Sequence, residues 1–154
     1  MNKSTSHLFH GLHVPWILCF ILTLSGCSTF NRDWKVAANA PAPANDIQGR
    51  WEGSWLSDAN GHTGKLRCLL SRVEDRRYQA RFKATYWKIL RFTYAADLLF
   101  EPIDGQFNLS GDTDLGWWAG GLYHYEGSVS LTNFFATYKN KYDHGTFRMS
   151  RPSE

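Results

Sequence analysis

The side chains best suited to acid–base chemistry in this 154-residue chain are one histidine and two carboxylates. His124 and Glu126 are two residues apart, so a β-strand would place them on one face, and Asp114 could join them in space. A histidine base with an orienting acid also needs a nucleophile to form a hydrolase site, and the sequence does not locate one. A strand face that carries solvated polar groups explains the same residues. We therefore predict no catalytic residues and do not expect an enzyme.

Metal binding has one partial signal. Asp112-x-Asp114-x-Gly116 is similar to the beginning of a calcium-binding loop, whose carboxylates supply oxygen ligands, but the distal glutamate of the full motif is missing. A turn with solvated aspartates is the alternative. The histidines after residue 47 stand singly, without metal-ligand spacing such as HExxH. We predict no metal site and no cofactor.

The elements that position these side chains are predicted to be short antiparallel strands. Apolar and polar residues alternate with period two over most of 47–154, and turn signals recur at strand-length intervals. Asn60-Gly61 predicts a tight hairpin turn. The clearest strand covers 78–86, and its alternation continues to residue 98. Because one strand of that length is implausible, we predict a corner near 87–89.

About eight strands are predicted in total, and no amphipathic helix. The strands cover 49–55, 66–73, 78–86, 90–98, 106–110, 121–130, 133–139 and 145–150. Closing such a sheet into a small up-and-down barrel removes its exposed edges. The predicted fold class is therefore all-β, with one β-barrel domain over 47–154.

The N-terminus carries a candidate site of covalent modification. Lys3 precedes an apolar run over 14–24, which is too short to span a bilayer as a helix, and small residues follow it, as in a secretory signal peptide. Leu24-Ser25-Gly26-Cys27 resembles the lipobox of bacterial lipoprotein precursors. The resemblance implies a signal peptide over 1–26, a diacylglycerol thioether at Cys27, and acylation of the new α-amino group by a fatty acid such as palmitate. An incidental cysteine near an ordinary cleavage site is the alternative.

The same resemblance implies a location in the cell envelope. A lipid-anchored chain is attached to a membrane without spanning it, and Ser28, where inner-membrane members tend to carry aspartate, favours the outer membrane. Residues 27–46 are predicted to be the lipidated cysteine and a flexible, semi-extended Ala/Pro-rich tether. Trp34 of this tether is predicted either to rest at the headgroup interface or to be exposed.

Charge and cysteine usage narrow the partners and the source of stability. Without Lys3 the chain keeps 16 basic and 14 acidic residues, a balance too close to neutral for nucleic acid to be expected as a partner. Cys19 leaves with the signal peptide and Cys27 is modified, so Cys68 cannot form an intramolecular disulfide. Cys68 is predicted to be a buried apolar residue rather than a redox thiol.

The first strand resembles the beginning of a known barrel superfamily. Gly49-Arg50-Trp51 resembles the Gly-x-Trp start of lipocalin-type and other calycin barrels. In that family the tryptophan plugs the barrel floor and an arginine near the last strand covers it, which the resemblance assigns to Arg148 or Arg151 through a cation–π contact. The chain departs from the lipocalin pattern because it has no Thr-Asp-Tyr motif and no helix after the last strand.

Inward-facing aromatic side chains are the candidate ligand-binding residues. A barrel of eight strands is either filled by side chains or wide enough for one small ligand, whose headgroup tyrosine hydroxyls would orient. The glycine-flanked tryptophan pair is predicted to cap the barrel mouth, to touch a bilayer interface or to pack locally. The candidates are Trp51, Trp55, Tyr78, Phe82, Tyr86, Phe92, Tyr94, Trp117 and Trp118, with Phe134, Tyr138 and Phe147 as further inward aromatics.

Two function classes remain. The first is a lipid-anchored envelope protein whose barrel binds a small amphiphile or lipid. The second is a structural or protein-interaction module, including inhibitor-like barrels. A solid core favours the second class, as does a basic group over 72–83 that either meets lipid phosphates or is solvated. The expected partners are the membrane, through the anchor, and an envelope lipid or protein.

Overall fold

A computed structural model describes residues 25–41, 43–87 and 89–153, with side chains from Thr29 onward. The predicted signal peptide, apart from the backbone of residues 25 and 26, lies outside the described residues, as do Lys88 and the side chain of Cys27. The elements are α1 (Ser25–Ala38), β1 (Gly49–Ser57), β2 (Thr63–Glu74), β3 (Arg77–Tyr86), β4 (Leu90–Ile103), β5 (Gln106–Asp114), a 3-10 turn (Trp117–Ala119), β6 (Leu122–Val129), β7 (Asn133–Lys139) and β8 (His144–Ser150). Among the described residues, no helix is both long enough and apolar enough to cross a bilayer.

The eight strands form a closed antiparallel barrel in sequence order, which confirms the predicted fold class. Each strand pairs with its neighbour in the chain, and β8 closes the sheet by pairing with β1, with Trp55 opposite Phe147. Burial alternates along β3 as predicted, with Tyr78, Ala80 and Phe82 facing the interior. The predicted corner is the β3–β4 connection, where Trp87 has a φ of 49°.

The two ends of the barrel differ. The β2–β3, β4–β5 and β6–β7 connections lie at one end, the floor, where Trp51 is fully buried and donates its indole N–H to the Ile47 carbonyl at 2.9 Å. The Trp51 ring lies 5.7 Å from that of Phe134, and the rings of Tyr78 and Phe100 meet edge to face at 5.0 Å. Side chains therefore fill this half of the barrel.

One arginine covers the floor from outside. The Arg151 guanidinium lies 4.0 Å from the Trp51 ring centroid and donates hydrogen bonds to the carbonyls of Gln48 at 2.6 Å and Asp46 at 3.0 Å. Arg148 instead lies on the outer wall, over the Phe135 ring. Of the two arginines that the calycin resemblance implied, Arg151 makes the contact, and the barrel is compatible with a calycin-like fold.

Asp46 joins the chain before β1 to the floor. Burial raises the pKa of its carboxyl, but hydrogen bonds from the Gln48 side chain and backbone and from the Tyr78 hydroxyl, with the nearby charge of Arg72, outweigh burial and hold that pKa below its usual value. The ionised carboxylate is the form that these contacts stabilise.

The segment after the candidate anchor is helical, which differs from the semi-extended tether predicted for it. Phe30 and Trp34, one turn apart in α1, stack at 5.8 Å and are buried against Leu69 on the outer face of β2. Trp34 is 8% exposed, so both alternatives given for it are wrong. The spacing of Phe30, Trp34 and Ala37 is that of one helix face. This amphipathic helix lies outside 47–154, the region for which only strands were predicted.

Polar contacts hold α1 against the barrel wall. The guanidinium groups of Arg67 and Arg50 lie 4.9 and 5.6 Å from the Trp34 ring centroid. Arg81 forms an ion pair with Asp33 at 2.8 Å. Aromatic burial with flanking cations explains why this segment docks on the wall as a helix instead of remaining extended.

Candidate ligand cavity

The mouth half of the barrel is hollow. The mouth is the end that carries the β1–β2, β3–β4, β5–β6 and β7–β8 connections, and a cavity of about 740 Å³ opens there. Its wall is mainly aromatic and draws on β1 to β4 and β6 to β8. The aromatic wall residues are Trp55, Tyr86, Phe92, Tyr94, Trp118, Tyr123, Tyr125, Tyr138 and Phe147. The two predicted alternatives, a filled and a hollow interior, thus each describe one half.

Stacked rings form the bottom of the cavity. The buried ring of Phe82 lies 5.1 Å from Tyr94 and 5.5 Å from Phe147. Tyr138 lies 5.0 Å from Phe147 on the adjacent strand. This layer separates the hollow half from the Trp51 plug, so a ligand reaches the cavity from the mouth.

The nine predicted ligand residues divide by depth. Five of them line the cavity: Trp55, Tyr86, Phe92, Tyr94 and Trp118. Phe82 lies beneath it, and Trp51 and Tyr78 belong to the floor. Trp117 lies outside the cavity and is 92% exposed. Strand alternation places all the strand residues inward, but it does not give their height along the barrel axis.

Most tyrosine hydroxyls of the cavity are held by protein partners. Tyr138 donates to the Asp143 carboxylate at 3.2 Å, and Ser57 donates to the other oxygen of that carboxylate at 2.6 Å. The Tyr86 hydroxyl lies 2.6 Å from His62 Nδ1, and Tyr123 donates to a backbone carbonyl at 3.1 Å. These bonds fix the rings and therefore preorganise the wall.

The Tyr125 hydroxyl is the exception. It is buried, lines the cavity and makes no hydrogen bond of ordinary geometry within the described part of the chain, although the Tyr94 hydroxyl is close enough to affect its ionisation. Burial raises the pKa of Tyr125 and Tyr94, so both hydroxyls stay neutral donors. A buried polar group without a partner costs about 1–3 kcal/mol. A ligand acceptor at this height would remove that cost.

Several lining residues were not predicted as site residues, among them Tyr123, Tyr125 and Asp143. Tyr123 and Tyr125 face inward and alternate along β6 with His124 and Glu126, which face outward. The alternation that places the histidine and the glutamate on one face therefore also places the two tyrosines on the other. Asp143 supplies the cavity with a carboxylate from the β7–β8 connection. No sequence signal marks Asp143, because a loop carries no alternation.

The acid–base and metal candidates lie outside the cavity. His124 and Glu126 share the outer face of β6, and His124 Nδ1 contacts Asp112 rather than Asp114, on an exposed surface. Asp114 accepts a hydrogen bond from the Gly116 N–H at 2.8 Å within its turn. Within the described ranges, no three histidine, cysteine or acidic side chains are grouped as a metal site would need.

Cys68 is fully buried in the core with a free thiol, as predicted. Burial raises the pKa of this thiol, so it stays protonated and is not a reactive nucleophile. The cavity itself offers aromatic walls, neutral hydroxyl donors, the Asp143 carboxylate and the Arg91 guanidinium.

Comparison of the chain with known protein families, with curated proteins and with solved structures found no match.

Proposed function

We propose that this protein is a lipid-anchored barrel of the cell envelope that holds a small amphiphile in its mouth half. The observation that carries the ligand is the cavity itself. Its volume of about 740 Å³ is within the range of roughly 300–1,000 Å³ that small-molecule sites have. Its wall is mostly aromatic, and the buried Tyr125 hydroxyl has an unused donor.

The arrangement of polar groups supports an amphiphile rather than a purely apolar ligand. Phe92, Phe147 and Trp55 offer apolar faces along the wall. Tyr125 offers a donor in the interior, while Asp143 and Arg91 lie among the lining groups with opposite charge. A ligand with an apolar body and a hydrogen-bond acceptor matches both kinds of group.

The envelope location rests on Leu24-Ser25-Gly26-Cys27 alone. Lipidation of Cys27 would attach the chain to a membrane, most favourably the outer membrane because of Ser28. The test is Cys27→Ala in the full chain, with membrane fractionation and the intact mass of the product. Loss of the lipid mass and release from the membrane are expected. Unchanged mass and unchanged membrane association would refute the anchor.

Native mass spectrometry of the full chain, extracted with several mild detergents, tests the ligand. A stoichiometric small amphiphile is expected to remain bound. Ala84→Trp places an indole in the cavity wall and is expected to displace it, whereas Ser110→Trp adds the same bulk on the exposed outer face of β5 and is expected to leave it bound. Protein that is free of ligand in every extraction would overturn the proposal.

Tyr125→Phe is the milder second variant. It removes only the hydroxyl and keeps the buried ring, so it is expected to fold while it binds the amphiphile about tenfold more weakly, the equivalent of about 1.4 kcal/mol for one hydrogen bond. Equal retention of the amphiphile by this variant and the unmodified chain would show that the hydroxyl does not contact the ligand.

A further inference from the structure

The mouth of the barrel is surrounded by exposed apolar side chains, most of which lie outside the cavity. Trp117 is 92% exposed and Ile89 is 77% exposed. We define the rim as the exposed large apolar residues of the β3–β4, β5–β6 and β7–β8 connections and the strand ends beside them. The rim consists of Trp87, Ile89, Leu90, Trp117, Trp118, Leu122 and Tyr142.

The composition of the rim is that of an interface with lipid. Tryptophan and tyrosine are enriched where a protein meets the boundary between lipid and water, since their rings combine an apolar body with a polar N–H or O–H. The rim is continuous with the cavity wall, because the Trp118 ring meets that of Phe92 at 5.5 Å and the Trp87 ring stacks on Tyr86 at 5.2 Å. An apolar surface therefore runs from outside the barrel into the cavity.

The direction of α1 is an independent observation. Asn31, near the helix N-terminus, accepts a hydrogen bond from Lys83 at 2.6 Å, close to where β3 reaches the mouth. Ala37, near the other end of α1, lies beside Gln48 and Ser71, toward the floor. The N-terminus of α1 therefore points to the mouth. Residue 27 precedes Asn31 by one turn, about 6 Å further in that direction.

A cluster of cations lies on the outer wall at the same end. Lys65, Arg67, Lys83 and Arg91 surround a depression of about 300 Å³ next to Asn31 that no acidic residue lines. Arg67 is also ion-paired with Glu52 at 3.5 Å, and Arg91 also borders the cavity. We call these four residues the flank cations. Each cation near an anionic membrane surface contributes about 1 kcal/mol. Of the basic group predicted over 72–83, only Lys83 belongs to this cluster, and Arg72 is paired with Asp46 at the floor.

We infer that the mouth docks on a bilayer surface. The rim enters the interface, the flank cations contact lipid phosphates, and the N-terminus of α1 directs the anchor residue to the same membrane. The cavity then opens onto the bilayer, so its ligand is a membrane lipid that enters without crossing water. The identity of the ligand rests on the proposed function, whereas the docking rests on the rim, the flank cations and the helix direction.

The β1–β2 connection makes the docking one-sided. Asp58, Asn60 and Gly61 occupy this hairpin at the mouth and are polar or small, and Leu56, 41% exposed, is the exposed large apolar residue beside it. The rim residues lie on the other three mouth connections. The docked barrel is therefore tilted, with the β3–β6 side deepest in the interface.

Quenching of tryptophan fluorescence by brominated lipids tests the docking. The full chain is reconstituted into vesicles of phosphatidylcholine and phosphatidylglycerol, with or without bromine on the acyl chains. Three of the six tryptophans that the structure describes lie on the rim, so up to about half of their emission is expected to be quenched. The double variant Trp117→Ser/Trp118→Ser is expected to lose most of the quenching.

Ile103→Ser/Leu131→Ser is the matched control, since both residues are exposed at the floor end. This variant is expected to be quenched like the unmodified chain. Equal quenching of all three proteins would overturn the docking. A chain that floats with the vesicles but is not quenched would also overturn it, and the rim would then be a contact surface for a protein partner.

The two proposals fail separately. Quenching without a co-purifying lipid would refute the ligand and keep the docking. A co-purifying lipid without quenching would refute the docking and keep the ligand. The same quenching is also measured with non-acylated protein added to preformed vesicles, so the result does not depend on the lipid anchor.

Discussion

Among the side chains at the floor end of the barrel, Arg151 is expected to contribute the most to the free energy of unfolding. We consider Arg151→Met, which keeps an unbranched apolar stem and removes the guanidinium. The variant loses the cation over Trp51, at 4.0 Å, and the hydrogen bonds to the carbonyls of Gln48 and Asp46. Those two carbonyls belong to the segment that leads into β1, so the loss of these hydrogen bonds also loosens the floor.

The magnitude follows from these contacts. A cation–π pair is worth about 0.5–2 kcal/mol depending on its desolvation, and Arg151 is half-buried, so we assign it about 1 kcal/mol. Hydrogen bonds from a charged donor contribute about 1.5–3 kcal/mol each. Because one side chain makes all of these contacts, they do not add in full, and we expect a loss of about 3 kcal/mol. Arg151→Lys keeps the charge and is expected to lose about half of that.

Urea denaturation, followed by tryptophan fluorescence and circular dichroism, measures the loss as a lower midpoint with an unchanged slope. Arg148→Met is the matched control, since Arg148 lies over Phe135 on the exposed wall. Its change is expected to be within about 0.5 kcal/mol. An equal or larger loss for Arg148→Met would refute the assignment of the floor contact to Arg151.

Trp34→Ala is expected to release α1 from the wall, at a cost of up to about 3 kcal/mol in docking free energy. Limited proteolysis should then cleave this variant within 29–38, while the control Val36→Ala, at an exposed position, stays protected. Protection of both variants would contradict the packing. The lowered pKa of Asp46 means that its contacts stabilise the fold above the unfolded-state pKa, near 4, and that this stability is lost as the pH falls through the lower folded-state value. Asp46→Asn should therefore lessen the dependence of the unfolding free energy on pH below about 4, and an unchanged acid slope would refute the role. Lys65→Gln and Arg91→Gln should each weaken binding to anionic vesicles about fivefold, from about 1 kcal/mol per charge, without a change on neutral vesicles in a flotation assay.

The strands were predictable because alternation is a local signal. In β3 every second side chain from Tyr78 is buried or half-buried, and the pattern needs no knowledge of the rest of the fold. The corner between β3 and β4 was predictable from length alone, although no glycine or proline marks it; Trp87 takes the positive φ instead. Closure followed from the number of strands and the need to cover edges.

The height of each residue in the barrel was not predictable. Trp51 and Trp55 are on the same strand and face inward, yet the first plugs the floor and the second lines the cavity. Four residues of strand separate the two heights, and which height is filled and which is hollow depends on the register between β1 and β8, where Trp55 is opposite Phe147. That register joins segments about ninety residues apart, which alternation within one strand cannot specify.

The helix was missed for a different reason. Short helices gain most of their stability from tertiary packing, and α1 is stabilised by Leu69 and by arginines on strands that follow it in the chain. The Ala/Pro-rich segment that follows the helix dominated the composition of the region. The Phe30, Trp34 and Ala37 spacing was present in the sequence, but the surface that it matches exists only once the barrel has formed.

Closure of the sheet also determines when the chain can fold. β1 begins at Gly49 and its second partner, β8, ends at Ser150, so the sheet cannot close until residue 150 has been synthesised. Pairings of such long sequence separation make folding slow. A nascent chain that lacks β8 exposes two open strand edges, which readily pair with other chains. The last seven-residue strand therefore sets the moment at which this protein ceases to be prone to aggregation.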